Sequence, residues 1–325
     1  MIVYFVFPLL PLGIFFYCYI NNKEGFISQK KIFSLFYYIG LIQFPILLLQ
    51  MNFYDFFIQF NNSGQTIDWY DFMFGSFFIK SDHSLGVFLL LLIAIILLKK
   101  DHVQSIVMFP KIVIAYLGIT IFLTESNISK LFLVILISSY VMIPLYKKHG
   151  KSLKFKLGIV FLSITLLFSG YLLKDKEFIQ KRLGGTLERQ ISIEAAEKFY
   201  ELGTAKRFQI IIVAVKKLET KWIGDGPYSY FNILTGEFKK TQHFTQLIWT
   251  YFDLGILGLI VVLCLMRYFI RYLDVDKGLP TLFFFGVFFV YSFYVPIFSD
   301  IAIIFSMFFI FSRKQTNYVK ATKLD

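Results

Sequence analysis

Residues 245–266 read TQLIWTYFDLGILGLIVVLCLM and are followed at once by Arg267 and, one turn later, by Arg271. A helix rises about 1.5 Å per residue, so about 20 apolar residues cross about 30 Å of hydrocarbon. This run is long enough, and it ends in cations as a membrane span does on its cytoplasmic side. Comparable runs recur along the chain. Spans are expected at 1–20, 32–50, 84–98, 104–123, 131–146, 157–173, 245–266, 279–297 and 300–312, the last being short. In lipid every backbone polar group must be satisfied within its own segment, so such runs are helices. The alternating segments of about ten residues that mark a membrane barrel do not occur.

The composition agrees. Hydrophobic residues make up 57% of the 325 and charged residues 17%, against about 45–50% and about 25% for soluble domains. The mean hydropathy is +0.66. The fold class expected is all-α: a polytopic membrane protein of about nine transmembrane helices, one domain over 1–325, with a long extracytoplasmic loop at 174–242.

Charge sets the orientation. Lys23, Lys30 and Lys31, then Lys99 and Lys100, then the lysines at 147–156, then Arg267 and Arg271, then the tail from Arg313, occupy alternate ends of the spans. The short intervening ends are acidic or nearly neutral, with Asp55, Asp68, Asp71 and Asp82 in the first of them and Asp300 in the last. The long one, 174–242, has more Lys and Arg than Asp and Glu, but long loops are largely exempt from the orientation rule. The positive-inside rule puts the C-terminus in the cytoplasm and the N-terminus outside. An N-terminus on that side suggests that further helices once preceded Met1. The net charge of +12 therefore orients the chain in the membrane, and nucleic acid is not an expected partner. The run 1–20 has no basic residue ahead of it and is a poor signal peptide. Cys18 and Cys264 are both expected near the cytoplasmic, reducing side, so neither a disulfide nor a metal site is expected.

Within 174–242, the stretch 192–202 is rich in helix formers. Thr204 is a plausible N-cap for a second helix at 205–219, whose apolar middle is flanked by Lys206, Arg207, Lys216 and Lys217. Both suit amphipathic helices at a membrane surface. Arg182, Arg189 and Arg207, with Lys181 and Lys206, concentrate positive charge there. An arginine offers a planar fork of donors matched to phosphate oxygens, and a helix start receives anions well. Charge alone does not separate a diphosphate cradle from headgroup contact. Trp222-Ile-Gly224-Asp225-Gly226-Pro-Tyr-Ser229 has the composition of a tight turn, commonly a mere connector. His243 stands at the outer mouth of the run at 245–266, and imidazole is the side chain most easily tuned as base or acid near neutrality. Asp253 lies inside that run, expected well below the headgroups and facing the bundle interior. Gly255 and Gly258 suit close helix packing. Asp82 and His83 precede the run at 84–98, where capping by Asp82 or Ser84 is the simpler role.

Four stretches together resemble the bacterial O-antigen and capsule polymerase/ligase superfamily, membrane glycosyltransferases that join lipid-linked glycans outside the cytoplasmic membrane. They are Asp71 to Gly75 continuing through Asp82-His83-Ser-Leu-Gly86; Leu123-Thr-Glu-Ser126-Asn127 before an apolar helix; Gly203-Thr-Ala-Lys206-Arg207 with the turn from Trp222; and His243 through Asp253-Leu-Gly255-Ile-Leu-Gly258. They occur in family order between about residues 71 and 266. Where the family has an arginine after the serine of its second stretch, this chain has Asn127, with Lys130 the nearest cation. Phe244 follows the histidine in place of a small polar residue.

The resemblance implies a glycosyltransferase of the membrane-embedded class C type. It would polymerise undecaprenyl-diphosphate-linked oligosaccharide repeat units into an O-antigen, capsule or exopolysaccharide, without a cofactor or metal. Accessory partners would be a chain-length regulator and a flippase. It further implies Arg207, with Arg189 or Arg182, on the diphosphate, His243 as acceptor base or binder, and Asp253 as its orienting partner. Lys206, Gly224, Asp225, Gly226, Asp82, His83 and Lys130 would contact diphosphate or glycan. Ligase-type transfer of finished polymer and, in another class, a polysaccharide transporter or flippase are the alternatives.

Overall fold

The computed structural model describes residues 12–21, 28–61, 72–77, 82–98, 105–124, 126–149, 220–227, 246–271 and 279–293, with single positions between them such as Ser229, Ile297 and Asp300. The expected span 157–173, nearly all of the expected helices at 192–202 and 205–219, and most of 300–312 lie outside the described residues. Among the described residues the structure is all helical, with no strand.

The helices are α1 (Leu12–Asn21), α2 (Gln29–Asn52), the single turn α3 (Tyr54–Phe57), α4 (Asp82–Leu98), α5 (Pro110–Leu123), α6 (Asn127–His149), α7 (Gln246–Arg271) and α8 (Leu279–Tyr291). Two of them, α2 and α7, are long and apolar enough to cross a membrane; α1, α4, α5 and the apolar part of α6 are shorter. The chain divides into two compact units, Met1–Ile137 with Ile260–Asp325, and Ser138–Leu259.

Several ends differ from expectation for local reasons. α5 begins at Pro110 and not at 104. Proline has no N–H to give and disfavours helical backbone in the residue before it, so it suits a first helical position. α6 begins at Asn127, ahead of the expected 131, because Ser126 caps it: its Oγ accepts the Ser129 N–H at 3.4 Å. α8 stops at Tyr291 instead of 297, where the Ser292 hydroxyl donates to the Phe289 carbonyl at 2.5 Å. A side chain that bonds its own backbone in this way competes with the helix ladder.

In the first unit α4 is the centre. Its residues Leu85, Val87 to Leu92 and Ile93 to Leu97 are all buried, and α2 and α5 pack on it and on each other. α2 carries Pro45 in mid-helix, which frees the Leu41 carbonyl four residues back. The Tyr116 hydroxyl of α5 donates to that carbonyl at 2.7 Å, so the defect becomes an interhelical bond. Aromatic contacts seat the remaining helices: Phe132 of α6 stacks on Tyr291 of α8, and Phe15 of α1 meets Phe269 of α7.

The outward faces are also apolar. Leu35 and Tyr38 of α2, Ile112 and Ile119 of α5, and Leu131 and Val134 of α6 are exposed.

Candidate functional site

Two polar constellations stand out, one in each unit. In the second unit α7 is not continuous. At Gly255 the backbone takes φ 71° and ψ −160°, and two helical pieces meet there. A break orphans the last carbonyls of one piece and the first N–H groups of the next. Here the turn at 221–226 supplies partners for both sets. Asp225 N–H donates to the Phe252 carbonyl at 3.0 Å, and Gly226 N–H to the Asp253 carbonyl at 3.1 Å. In return Ile256 N–H donates to the Lys221 carbonyl at 3.0 Å, and Leu257 N–H to that of Trp222 at 3.2 Å. The turn expected as a connector is thus a docked element, held through backbone groups.

The docking depends on glycine. A β-carbon on Gly224 would lie 2.3 Å from the Asp253 carbonyl carbon and 2.4 Å from the Leu254 nitrogen. Gly255, expected to serve helix packing, instead permits the break.

Asp253 is 3% exposed, and its Oδ1 receives the Ser229 hydroxyl at 3.0 Å. The same hydroxyl lies 2.9 Å from the Phe252 carbonyl, so one proton is shared between two acceptors. Asp225 holds Lys221 in an ion pair at 2.6 Å, with both side chains partly open to solvent. Trp222 and Ile223 project outward from the turn.

In the first unit the start of α4 meets the start of α6. His83 Nδ1 lies 3.1 Å from Ser126 Oγ, and Ser126 Oγ is 2.7 Å from Ser129 Oγ. Ser129 in turn bonds the Tyr291 hydroxyl at the end of α8. Ser126, Ser129 and Tyr291 are fully buried. A β-carbon on Gly86 would fall 2.2 Å from Ser129 Oγ, so glycine allows α4 this close. Ser84, expected as a possible cap, instead donates to Asp300 Oδ2. The tautomer of the His83 ring decides whether Nδ1 donates to the Ser126 hydroxyl or accepts from it.

Nearby, the backbone at 72–77 runs back along α2. Gln50 pairs with both backbone groups of Gly75, donating to its carbonyl and accepting its N–H, each at 2.9 Å. Gln43 accepts the Ser76 N–H at 2.9 Å. Beside it an apolar cavity of about 340 Å³ is lined by Ile46, Leu49, Phe57, Phe60, Phe72 and Phe74.

Of the expected site residues, Gly224, Asp225, Gly226 and Asp253 are brought together in the second unit, and His83 joins Ser126 in the first. Asp82 is the first residue of α4. Lys130 is not in a loop: it belongs to the first turn of α6, its N–H donating to the Ser126 carbonyl at 3.2 Å. Arg182, Arg189, Lys206, Arg207 and His243 lie outside the described residues. Ser229, Ser129, Tyr291, Gln43 and Gln50 are further polar members of these constellations, beyond those expected from the sequence. The signal for the glutamines was available: two amides seven residues apart in an apolar run need partners at depth. Among the described residues no three His, Cys, Asp or Glu side chains gather as metal ligands.

Comparison with protein families, curated proteins and solved structures finds no match.

Proposed function

We propose that this chain is a multi-pass enzyme of a bacterial cytoplasmic membrane. In this reading it polymerises undecaprenyl-diphosphate-linked oligosaccharide units into a surface polysaccharide on the outer face. The observation that carries the reading is the pairing of the stretches behind the resemblance. The stretch ending at Gly86 closes on that of Ser126 through His83, and the turn from Trp222 closes on the segment of Asp253 and Gly255. Stretches that share a site are expected to meet in space although they are far apart in sequence.

The membrane part is supported by the distribution of apolar surface. Only 33% of the apolar window of α2 and 44% of that of α7 is buried, whereas the core helix of a soluble protein is mostly buried. Soluble monomers rarely leave such faces open. Against a carrier, the backbone groups named at the α7 break bond the protein's own turn, where a transporter would turn such groups toward its cargo.

For the chemistry, displacement at an anomeric carbon needs positive charge on the departing diphosphate and help in deprotonating the acceptor hydroxyl. We assign the first to Arg207 with Arg189 or Arg182, and the second to His243. Asp253, held by Ser229, anchors the turn against α7 and so positions the site.

The test is the surface-glycan profile of a host lacking the gene, complemented with wild type, Arg207→Ala or His243→Ala at matched membrane levels. A null strain limited to single repeats, restored to a ladder by wild type and by neither variant, is the expected result. Long chains retained on the lipid carrier would make it a ligase, and lipid-linked units trapped inside would make it a flippase. Normal ladders from both variants would remove the two residue assignments.

A further inference from the structure

The turn at 221–226 lies beside the middle of α7, ten or so residues from its start, where a continuous span would be deep in the bilayer. Two facts limit how deep it can be. Its backbone is irregular, and Lys221 and Asp225 form an ion pair open to solvent; neither is tolerated facing hydrocarbon. Yet Trp222 and Ile223 are 65% and 74% exposed, next to exposed Leu254 and Leu257 of α7. Four adjacent apolar side chains open to water form an unfavourable surface. One level satisfies both: the boundary between headgroups and acyl chains, where tryptophan rings concentrate. The remainder of α7, 256–271, rises about 24 Å, a short span that local thinning and the exposed Arg267 and Arg271 accommodate by reaching toward the far interface.

We propose that Trp222 and Ile223 insert into the outer headgroup–acyl boundary of a bilayer as an interfacial anchor level with the Gly255 break. The occupant of this surface is lipid, since the ridge continues onto the exposed apolar face of α7. Asp253 then lies at headgroup level, above the position its place in an apolar run suggests, and the docked turn faces the depth at which lipid phosphates lie. The inference rests on the membrane part of the proposed function and not on its chemistry.

The test uses the full chain in phosphatidylcholine vesicles. Trp69→Phe with Trp249→Phe leaves Trp222 as the fluorophore, read against lipids brominated near the carbonyl or near the methyl end of the acyl chain, and against aqueous iodide. A bimane on Cys264, with Cys18→Ser, reports α7 about 13 Å beyond the break. The anchor predicts blue-shifted Trp222 emission, its largest loss with the shallow bromines and little loss with iodide, while the Cys264 label loses most with the deep bromines. Ile223→Cys carrying bimane, in a Cys18→Ser, Cys264→Ser chain that keeps all three tryptophans, must repeat the shallow profile.

Iodide quenching without bromine quenching would put the turn in water. Strongest loss from deep bromines would put it in the core, and no loss from either would mean that protein covers it. Each of these overturns the anchor. Failure of the Cys264 label to sense any bromine would instead overturn the membrane reading beneath it.

Discussion

At Gly255 the backbone occupies a region open to glycine and strained for other residues by about 1–3 kcal/mol, and a β-carbon there would sit 2.6 Å from the Trp222 carbonyl oxygen. Gly224 meets the same obstacle from the turn side, against backbone that cannot rotate away. Gly118 in α5 is different, because its added β-carbon would find only Leu133 Cδ2 at 3.6 Å. Gly255→Ala and Gly224→Ala should each lower stability by roughly 2 kcal/mol or more and speed trypsin cleavage after Lys221. Gly118→Ala should be neutral or stabilising by up to about 1 kcal/mol through helix propensity. Thermal unfolding in detergent, paired with digestion rates, checks this; equal midpoints for all three would mean that the turn is not docked as described. The sequence showed these glycines, but Gly-Ile-Leu-Gly reads equally well as a packing face and as a break. Only the partners across the chain separate the two readings.

α2 shows how a helix of apolar composition carries its polar exceptions. Pro45 frees one carbonyl, which Tyr116 takes; Gln43 and Gln50 point at a segment 25 to 33 residues further on. Removing Gln50 would leave both backbone groups of Gly75 buried without their partner, at about 1–3 kcal/mol for each unsatisfied group. Gln50→Leu should therefore unfold well below wild type. Asn52→Leu, at an exposed residue that bonds only its own helix at the Leu48 carbonyl, should change the midpoint little. A Gln50→Leu midpoint as high as that of Asn52→Leu would remove the clamp from the account of this element.

For the whole molecule, the orientation we propose follows from where the cations stand. Lys148 lies in the last turn of α6 and Asp225 on the docked turn, both exposed, and they are expected on opposite faces. In a Cys18→Ser, Cys264→Ser background, Asp225→Cys should react with a membrane-impermeant maleimide in intact cells. Lys148→Cys should react only after permeabilisation. Labelling of both from one side would break the alternation on which the topology rests, and the reverse pattern would invert it.

What the sequence determined by itself is helical character and the approximate course of the helices. A long apolar segment satisfies its backbone locally, through bonds four residues apart, so composition and run length suffice to read it. Ends shifted where proline or a serine cap intervened, as at Pro110 and Ser126, and those too are local effects. The tertiary structure alone decided which residues meet. Ser129 and Tyr291 are 162 positions apart, and the turn from Lys221 finds α7 through backbone groups that every residue carries. Bonds between main-chain groups leave no trace in side-chain type, so the break at Gly255 and its seal become visible only once the chain has folded.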